Sequence, residues 1–194
     1  FYEQGIKYLI FGNVLKNNTY PLSVSAERVF QAMALAYLAI EMKVDAIAHG
    51  STGAGNDQIR FDLIFQTMCP QIEIITPIRD LALSREEEIS YLQQHGVEGV
   101  WEKALYSINE GLWGTSIGGM ETLTSNGVLP EEAFPNQLQK VDSEVIEIRF
   151  EKGEPVGLNG TIMTPIDVIK GLNEWGGKYA IGRDVHVGDT IIGI

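Results

Sequence analysis

The chain has 194 residues, 44% of them hydrophobic and 21% charged, and its formal net charge is −12. This length allows a sizeable core in one domain or two partial ones, and the acidic balance argues against a nucleic-acid partner, because nucleic-acid phosphates are bound by lysine and arginine. The single cysteine, Cys69, excludes an intrachain disulfide framework and is expected to be a buried thiol. Neither a membrane span nor a signal peptide is recognisable, so the sequence predicts a cytoplasmic protein without a membrane partner.

The first clear element is a helix, which apolar spacing predicts from about Ser25 to Lys43. Before it, residues 1–22 contain an apolar stretch and a polar loop. Ser25 stands where an N-cap belongs, and its alternative role is to bind a carboxylate together with the unpaired amides of the first turn. The residues expected to form the buried stripe of this helix are Val29, Met33, Ala36 and Ile40, with Tyr37 alongside.

A short apolar strand at 44–48 leads into a segment that we call the glycine turn, residues 49–56, and then into a second helix. Three glycines in six residues let the backbone approach a ligand closely, and the first amides of the helix attract anions. A hydroxyl, an amide, a carboxylate and a guanidinium follow within nine residues, and together they can hold a zwitterion. The alternative is an ordinary strand-to-helix turn with Asn56 or Asp57 as the helix N-cap. The four polar residues are Thr52, Asn56, Asp57 and Arg60.

Downstream of the second helix, which should end before Pro70, residues 72–76 are typical of another strand. Ser84 opens a capping box for a helix that Gly96 ends. Residues 20–96 therefore alternate between helices and strands, the order of a parallel sheet flanked by helices. Ligands bind such sheets outside the carboxyl ends of the strands, where the glycine turn lies.

The second half has a different character and indicates an α+β arrangement. Residues 97–142 are rich in loop-forming residues and are interpreted as an interdomain passage. Strands are predicted at 145–150 and 155–158 with a turn at Lys152-Gly153, then a helix from Thr164-Pro165 to Gly176-Gly177, then strands at 185–187 and 189–194. The three histidines lack the spacing of a metal site or a catalytic triad, and His49 is interpreted as a structural hydrogen-bonding residue.

One known family carries the same motif. Residues 49–63 read His-Gly-Ser-Thr-Gly-Ala-Gly-Asn-Asp-Gln-Ile-Arg-Phe-Asp-Leu, which closely resembles the motif His-Gly-x-Thr-Gly-x-Gly-Asn-Asp-Gln-x-Arg-Phe-Glu of argininosuccinate synthases. A weaker match is the family's Tyr-x(4)-Ser spacing at Tyr20 and Ser25. Residues 106–119 resemble a further family motif that contains two serines, Ser107 and Ser116. The chain opens on Phe1 and stops inside an apolar run, so we expect it to be a piece of a longer protein.

The resemblance implies part of an ATP-pyrophosphatase-type nucleotide-binding domain at 1–98 and part of an α+β synthetase domain at 99–194. It implies a ligase of arginine biosynthesis that uses ATP with Mg²⁺ to join citrulline and aspartate through a citrullyl-adenylate, as a homotetramer in the full-length protein. No protein nucleophile is expected, because positioning and phosphate electrostatics supply the catalysis. The implied site residues are Gly50 for ATP; Thr52, Asn56 and Asp57 for aspartate; and Tyr20, Ser25, Asn56, Arg60, Ser107 and Ser116 for citrulline.

This chain departs from the family at three places. Ala54 stands where many members have lysine, Gly118 stands where a glutamate is usual, and the Ser-Gly-Gly-x-Asp-Thr-Ser pyrophosphate loop would lie upstream of Phe1. We therefore expect the isolated fragment to be inactive. The competing hypotheses are another ATP-pyrophosphatase-type ligase or amidotransferase, and a non-catalytic amino-acid-binding fragment.

Overall fold

The computed structural model describes residues 1–53, 55–99, 106–124 and 126–187. It forms two compact units, one from the described residues of 1–26 and 105–187 and the other from those of 27–104. Helices and a parallel strand pair occur together, which confirms the predicted α/β class. None of the helices in the described residues combines the length with the apolar character of a membrane span.

The longest helix, α2 (Ser23–Met42), begins two residues before the predicted start. The Leu22 carbonyl accepts the amide of Ala26 at 3.0 Å, so Ser25 lies inside the first turn and is not the N-cap. The buried face also differs from the predicted stripe, because Tyr37 and Ile40 are 61% and 42% exposed. The buried face consists of three small residues, Ala32, Ala36 and Ala39, of which Ala36 belonged to the predicted stripe.

The unit that contains most of α2 is built around a strand, helix and parallel strand. Strand β1 (Ala46–Ala48) is followed by helix α3 (Asp57–Met68) and by strand β2 (Glu73–Ile75), which pairs with β1 in parallel. Short helix α4 (Pro77–Asp80) and helix α5 (Arg85–Gln94) complete the unit. The predicted capping box at Ser84 and the end of α5 before Gly96 are both confirmed.

The core of this unit lies where α2 and α3 meet behind the strand pair. Phe61 and Phe65 of α3 reach the alanine face of α2, because small side chains there leave room for two aromatic rings. Cys69 and Ile72 close the core below the rings, and Cys69 is only 1% exposed, as predicted for a buried thiol. Burial in this apolar environment raises the pKa of the Cys69 thiol.

The other unit begins with a π-helical turn (Tyr2–Ile6) and helix α1 (Lys7–Phe11), which pack against helix α6 (Pro165–Lys178). It contains the antiparallel hairpin of β3 (Ser107–Gly111) and β4 (Gly114–Gly118), inside the stretch that we expected to be an irregular passage. Two 3-10 turns follow, Met120–Leu123 and Glu131–Ala133. A three-stranded antiparallel sheet is formed by β5 (Ile148–Glu151), β6 (Glu154–Leu158) and β7 (Thr161–Ile162).

Several predicted boundaries in this unit are corrected. Strand β5 starts at Ile148 rather than at 145, and all four of its residues are exposed instead of half-buried. Helix α6 starts at the predicted Thr164 cap but continues through the glycine pair to Lys178, because the helical bond from the Tyr179 amide to the Trp175 carbonyl forms across it. Residues 185–187 form no strand, and the strand predicted at 189–194 lies outside the described residues.

Candidate functional site

The glycine turn lies at the carboxyl edge of the parallel strand pair. The amide of His49, the first residue after β1, donates to the carbonyl of Ile75 at 3.0 Å, so the turn begins beside the end of β2. Its glycines all lie outside the left-handed region of the backbone. A Cβ at Gly50 or Gly53 would stand 3.8 Å from its nearest neighbour, which is ordinary contact. Neither backbone geometry nor packing within the chain requires glycine at these two positions, whereas close approach of a ligand would.

Asp57, the first residue of α3, is held by two arginines. Its Oδ2 accepts from Nε of Arg28 at 3.2 Å, and its Oδ1 accepts from an Nη of Arg60 at 2.7 Å. The three side chains are between 18% and 30% exposed, so they remain accessible to a solute. Two guanidinium groups and one carboxylate carry a formal charge of +1. This cluster therefore favours a ligand with a net negative charge.

Thr52 and Asn56 lie on either side of the turn's last glycine. A Cβ at Gly55 would stand 3.9 Å from the hydroxyl oxygen of Thr52, whose side chain is exposed. Asn56 occupies the N-cap position of α3, but its side chain makes no capping hydrogen bond. The position that the alternative gives to Asn56 is therefore confirmed, although the capping hydrogen bond is not formed. Ala54, the position at which many family members have lysine, lies outside the described residues.

Tyr20 and Ser25, in the other unit, are in direct contact. The Ser25 amide donates to the Tyr20 hydroxyl oxygen at 3.1 Å, and that hydroxyl lies 3.4 Å from the Ser25 Oγ. The tyrosine thus satisfies an amide in the first turn of α2 that has no helical partner. The ring of Tyr20 also stacks on His186 with centroids 4.7 Å apart. The hydroxyls of Tyr20 and Ser25, which the sequence motif predicted to act together, thus lie side by side at the start of α2.

The hairpin places Ser107 and Ser116 on one face. Ser107 pairs with Gly118, and Ser116 pairs with Asn109 two residues further along, so both serines point to the same side of the ribbon. Since Gly118 is directly opposite Ser107, the carboxylate that the family carries there has no counterpart at this position. The tip of the hairpin is fixed to the chain before α2, because Nε1 of Trp113 donates to the Pro21 carbonyl at 2.9 Å.

Sequence reasoning did not identify several residues around the glycine turn. Arg28 lies 29 positions before Asp57, and no local spacing pointed to their pairing. His49 makes two hydrogen bonds, as its structural interpretation predicts: its ring lies 2.9 Å from Asp62 and accepts the Ser51 amide at 3.3 Å. Gln58 is 5% exposed although it is polar, and its only signal in the sequence was its place in the motif at residues 49–63. In the parts of the chain that the structure describes, no three histidine, cysteine or acidic side chains gather as a metal site.

A parallel strand-helix-strand unit with a glycine turn at its carboxyl edge places the chain among α/β proteins, whose ligands bind outside the carboxyl ends of parallel strands. Two family models match this sequence: the arginosuccinate synthase N-terminal HUP domain over residues 1–98, and the arginosuccinate synthase C-terminal domain over residues 106–194. The chain belongs to the argininosuccinate synthase family.

Individual relatives agree with this assignment. An argininosuccinate synthase of Methanocaldococcus jannaschii is 40% identical over 198 residues, which is 99% of this chain and 50% of the relative. One of Sulfurisphaera tokodaii is 39% identical over 100% of this chain and 50% of the relative. One of Lactococcus lactis subsp. cremoris is 38% identical over 94% of this chain and 47% of the relative. The chain thus spans about half the length of the curated relatives it matches.

Proposed function

We propose that this chain is part of an ATP-dependent ligase that joins citrulline to aspartate and releases AMP and pyrophosphate. In the first step the ureido oxygen of citrulline attacks the α-phosphorus of ATP and pyrophosphate leaves. In the second, the aspartate amine attacks the activated ureido carbon, AMP leaves and a proton is released. Both steps join bound substrates to each other, so alignment, worth about 7–11 kcal/mol in favourable cases, is the main task of the protein.

The observation that carries the proposal is the pairing of Asp57 with Arg28 and Arg60 at the start of α3. Aspartate has two carboxylates and one ammonium, so its net charge of about −1 complements the formal +1 of this cluster. In the proposal, Asp57 accepts from the ammonium, while Thr52 and Asn56 donate to the carboxylates. The first amides of α3 add positive potential beside them.

The remaining assignments concern citrulline and ATP. Citrulline has a neutral ureido group and a carboxylate. Hydroxyl groups of the protein suit the former, and Arg60 suits the latter. Gly50 allows the ATP phosphates to approach the backbone, and Mg²⁺ enters with ATP as part of the substrate. The proposed citrulline residues are Tyr20, Ser25, Asn56, Arg60, Ser107 and Ser116.

Further parts of the proposal concern the whole protein. It works in the cytoplasm as a homotetramer in arginine biosynthesis. The present chain divides into a nucleotide-binding part at 1–98 and a synthetase part at 99–194. The family assignment supports this proposal.

Replacing Asp57 by alanine tests the aspartate site. In the full-length gene product, we expect Asp57→Ala to raise the KM for aspartate about 10- to 100-fold, because hydrogen bonds to charged groups are worth roughly 1.5–3 kcal/mol. The KM for ATP should change far less. Initial rates of AMP and pyrophosphate release measure both constants.

The matched control is Asp45→Ala, which removes an exposed carboxylate from the same unit. Equal increases in the KM for aspartate and for ATP would show that the assignment of Asp57 is wrong. Release of AMP that requires glutamine or ammonia in place of aspartate would instead identify an amidotransferase.

A further inference from the structure

A buried glutamine contacts the glycine turn from the helix that follows it. Gln58 is 5% exposed, and its Nε2 donates a short hydrogen bond to the Gly53 carbonyl. Its Oε1 accepts from an Nη of Arg79 at 3.1 Å. Both ends of the amide are therefore occupied, which fixes its orientation. Gln58 therefore connects the guanidinium of Arg79 to the backbone of the glycine turn through two hydrogen bonds.

Arg79, in helix α4, is held in turn by several acceptors. It donates to Oδ2 of Asp62 at 2.6 Å and to the hydroxyl oxygen of Thr76 at 3.1 Å, in addition to Gln58. Thr76 is only 2% exposed, so this end of the network is shielded from water. A planar guanidinium can serve three acceptors in fixed directions, which a lysine ammonium on a flexible stem does not reproduce.

The network reaches the turn a second time through His49. The other oxygen of Asp62, Oδ1, lies 2.9 Å from Nε2 of His49. Because Nδ1 of His49 accepts the Ser51 amide at 3.3 Å, the ring proton belongs on Nε2 and is donated to Asp62. The amide of Ser51 and the carbonyl of Gly53 are thus both fixed. Thr52 lies between them.

We propose that Gln58 and Arg79 are positioning residues that hold the glycine turn in the conformation in which Thr52 faces aspartate. This inference rests on the proposed function for its substrate, but the geometry that carries it is independent of any ligand. Gln58 and Arg79 touch no substrate and act through the backbone at Ser51 and Gly53. Without them, an exposed turn between β1 and α3 would have to be ordered by the substrate, and affinity would fall by that cost.

The test uses Gln58→Glu in the full-length gene product. Glutamate keeps an acceptor for Arg79 but removes the donor to the Gly53 carbonyl, so the protein should fold while the turn loses its contact. We expect faster hydrogen exchange of the amides in residues 50–57 without substrates, and an increase of about tenfold in the KM for aspartate, with less than about a twofold change for ATP. Gln66→Glu, an exposed position on the same helix, is the matched control and should change neither quantity.

A second variant, Gln58→Leu, removes both hydrogen bonds and should reproduce the exchange and KM effects. If either folded variant has wild-type exchange rates in the turn, or a lower Tm with an unchanged KM for aspartate, the residue is merely structural and the proposal is overturned. Failure of the wild type to form AMP from citrulline, aspartate and ATP would overturn the proposed function and the aspartate assignment. The exchange rates would still decide whether Gln58 holds the turn.

Discussion

At the scale of single residues, glycine occurs in two different structural settings in this protein. Gly114, at the tip of the β3–β4 hairpin, has φ of +145°, and a Cβ there would stand 3.2 Å from Cβ of Ser23. Backbone geometry and packing both require glycine at that position. Gly50 has no such requirement, since its nearest neighbour, Ile78, would be 3.8 Å from an added Cβ. The folded chain therefore tolerates alanine at Gly50, whereas the phosphate that we propose to bind there would not.

Replacing the two glycines separates these roles. We expect Gly50→Ala to leave Tm unchanged or to raise it slightly. Where the backbone accepts alanine, replacing glycine stabilises the folded state by about 0.4–1 kcal/mol, because the unfolded chain has less conformational entropy to lose. Its KM for ATP should nevertheless rise. Gly114→Ala, the comparison variant, should lower Tm. Thermal unfolding and AMP-release kinetics measure these effects, and a stable Gly50→Ala enzyme with a wild-type KM for ATP would remove Gly50 from the ATP site.

At the scale of secondary-structure elements, Glu154 links the N-terminal helical segment to strand β6. Its carboxylate pairs with Nζ of Lys7 at 3.0 Å and accepts from the Tyr2 hydroxyl at 3.0 Å. The hydrogen bond from Lys7, and then that from Tyr2, hold the pKa of Glu154 below its usual value of 4.5. Burial and the same carboxylate raise the pKa of the Tyr2 hydroxyl. One acidic side chain therefore connects two elements that are far apart in sequence.

The sign of this shift predicts a pH dependence. Because the folded-state pKa of Glu154 lies below the unfolded-state value, its contribution to stability is complete above the unfolded-state value and is lost as the pH falls through the folded-state value. We expect Tm to fall less steeply on acidification in Glu154→Gln than in the wild type. The control is Glu151→Gln. Glu151 and its partner Arg149 are both 58% exposed, so loss of this ion pair should leave the slope unchanged. Parallel acid profiles for Glu154→Gln and the wild type would contradict the link.

At the scale of the whole molecule, one side of α2 leaves large apolar side chains in water. Leu35, Leu38 and Met42 lie on one helical face and are 39%, 50% and 64% exposed. The buried face of the same helix is made of alanines. A contiguous apolar surface of this kind promotes association.

We therefore expect the 194-residue chain, prepared alone, to self-associate with rising concentration. Leu38→Glu should reduce this association without lowering Tm, because the leucine is half-exposed and packs little. Gln66→Glu adds the same charge at an exposed position of another helix, α3, and is the control. Light scattering after size-exclusion chromatography measures the mass. A monomer at all concentrations, or equal effects of the two variants, would show that this face does not drive association.

Local signals in the sequence were sufficient for much of the fold. The capping box at Ser84, the Thr164-Pro165 start of α6 and the strand, turn and helix around residues 44–68 were all predicted correctly, because each depends on neighbours within a few positions. The β3–β4 hairpin was missed because its strands are short and rich in glycine and polar residues. Apart from Ala36, the buried face of α2 was misassigned, because hydrophobicity favoured its large side chains, whereas packing against Phe61 and Phe65 required alanines.

The sequence by itself determined the family and the chemical character of the glycine turn, since a long motif of polar residues and glycines is local and specific. Only the tertiary structure revealed that Arg28 joins Arg60 at Asp57, and that Arg79 supports the turn through Gln58. These contacts join residues up to 29 positions apart. Arg28 reaches Asp57 because the alanine face of α2 packs against α3. Arg79 reaches Gln58 because parallel pairing of β1 with β2 brings the carboxyl ends of both strands to one edge, where α3 and α4 begin.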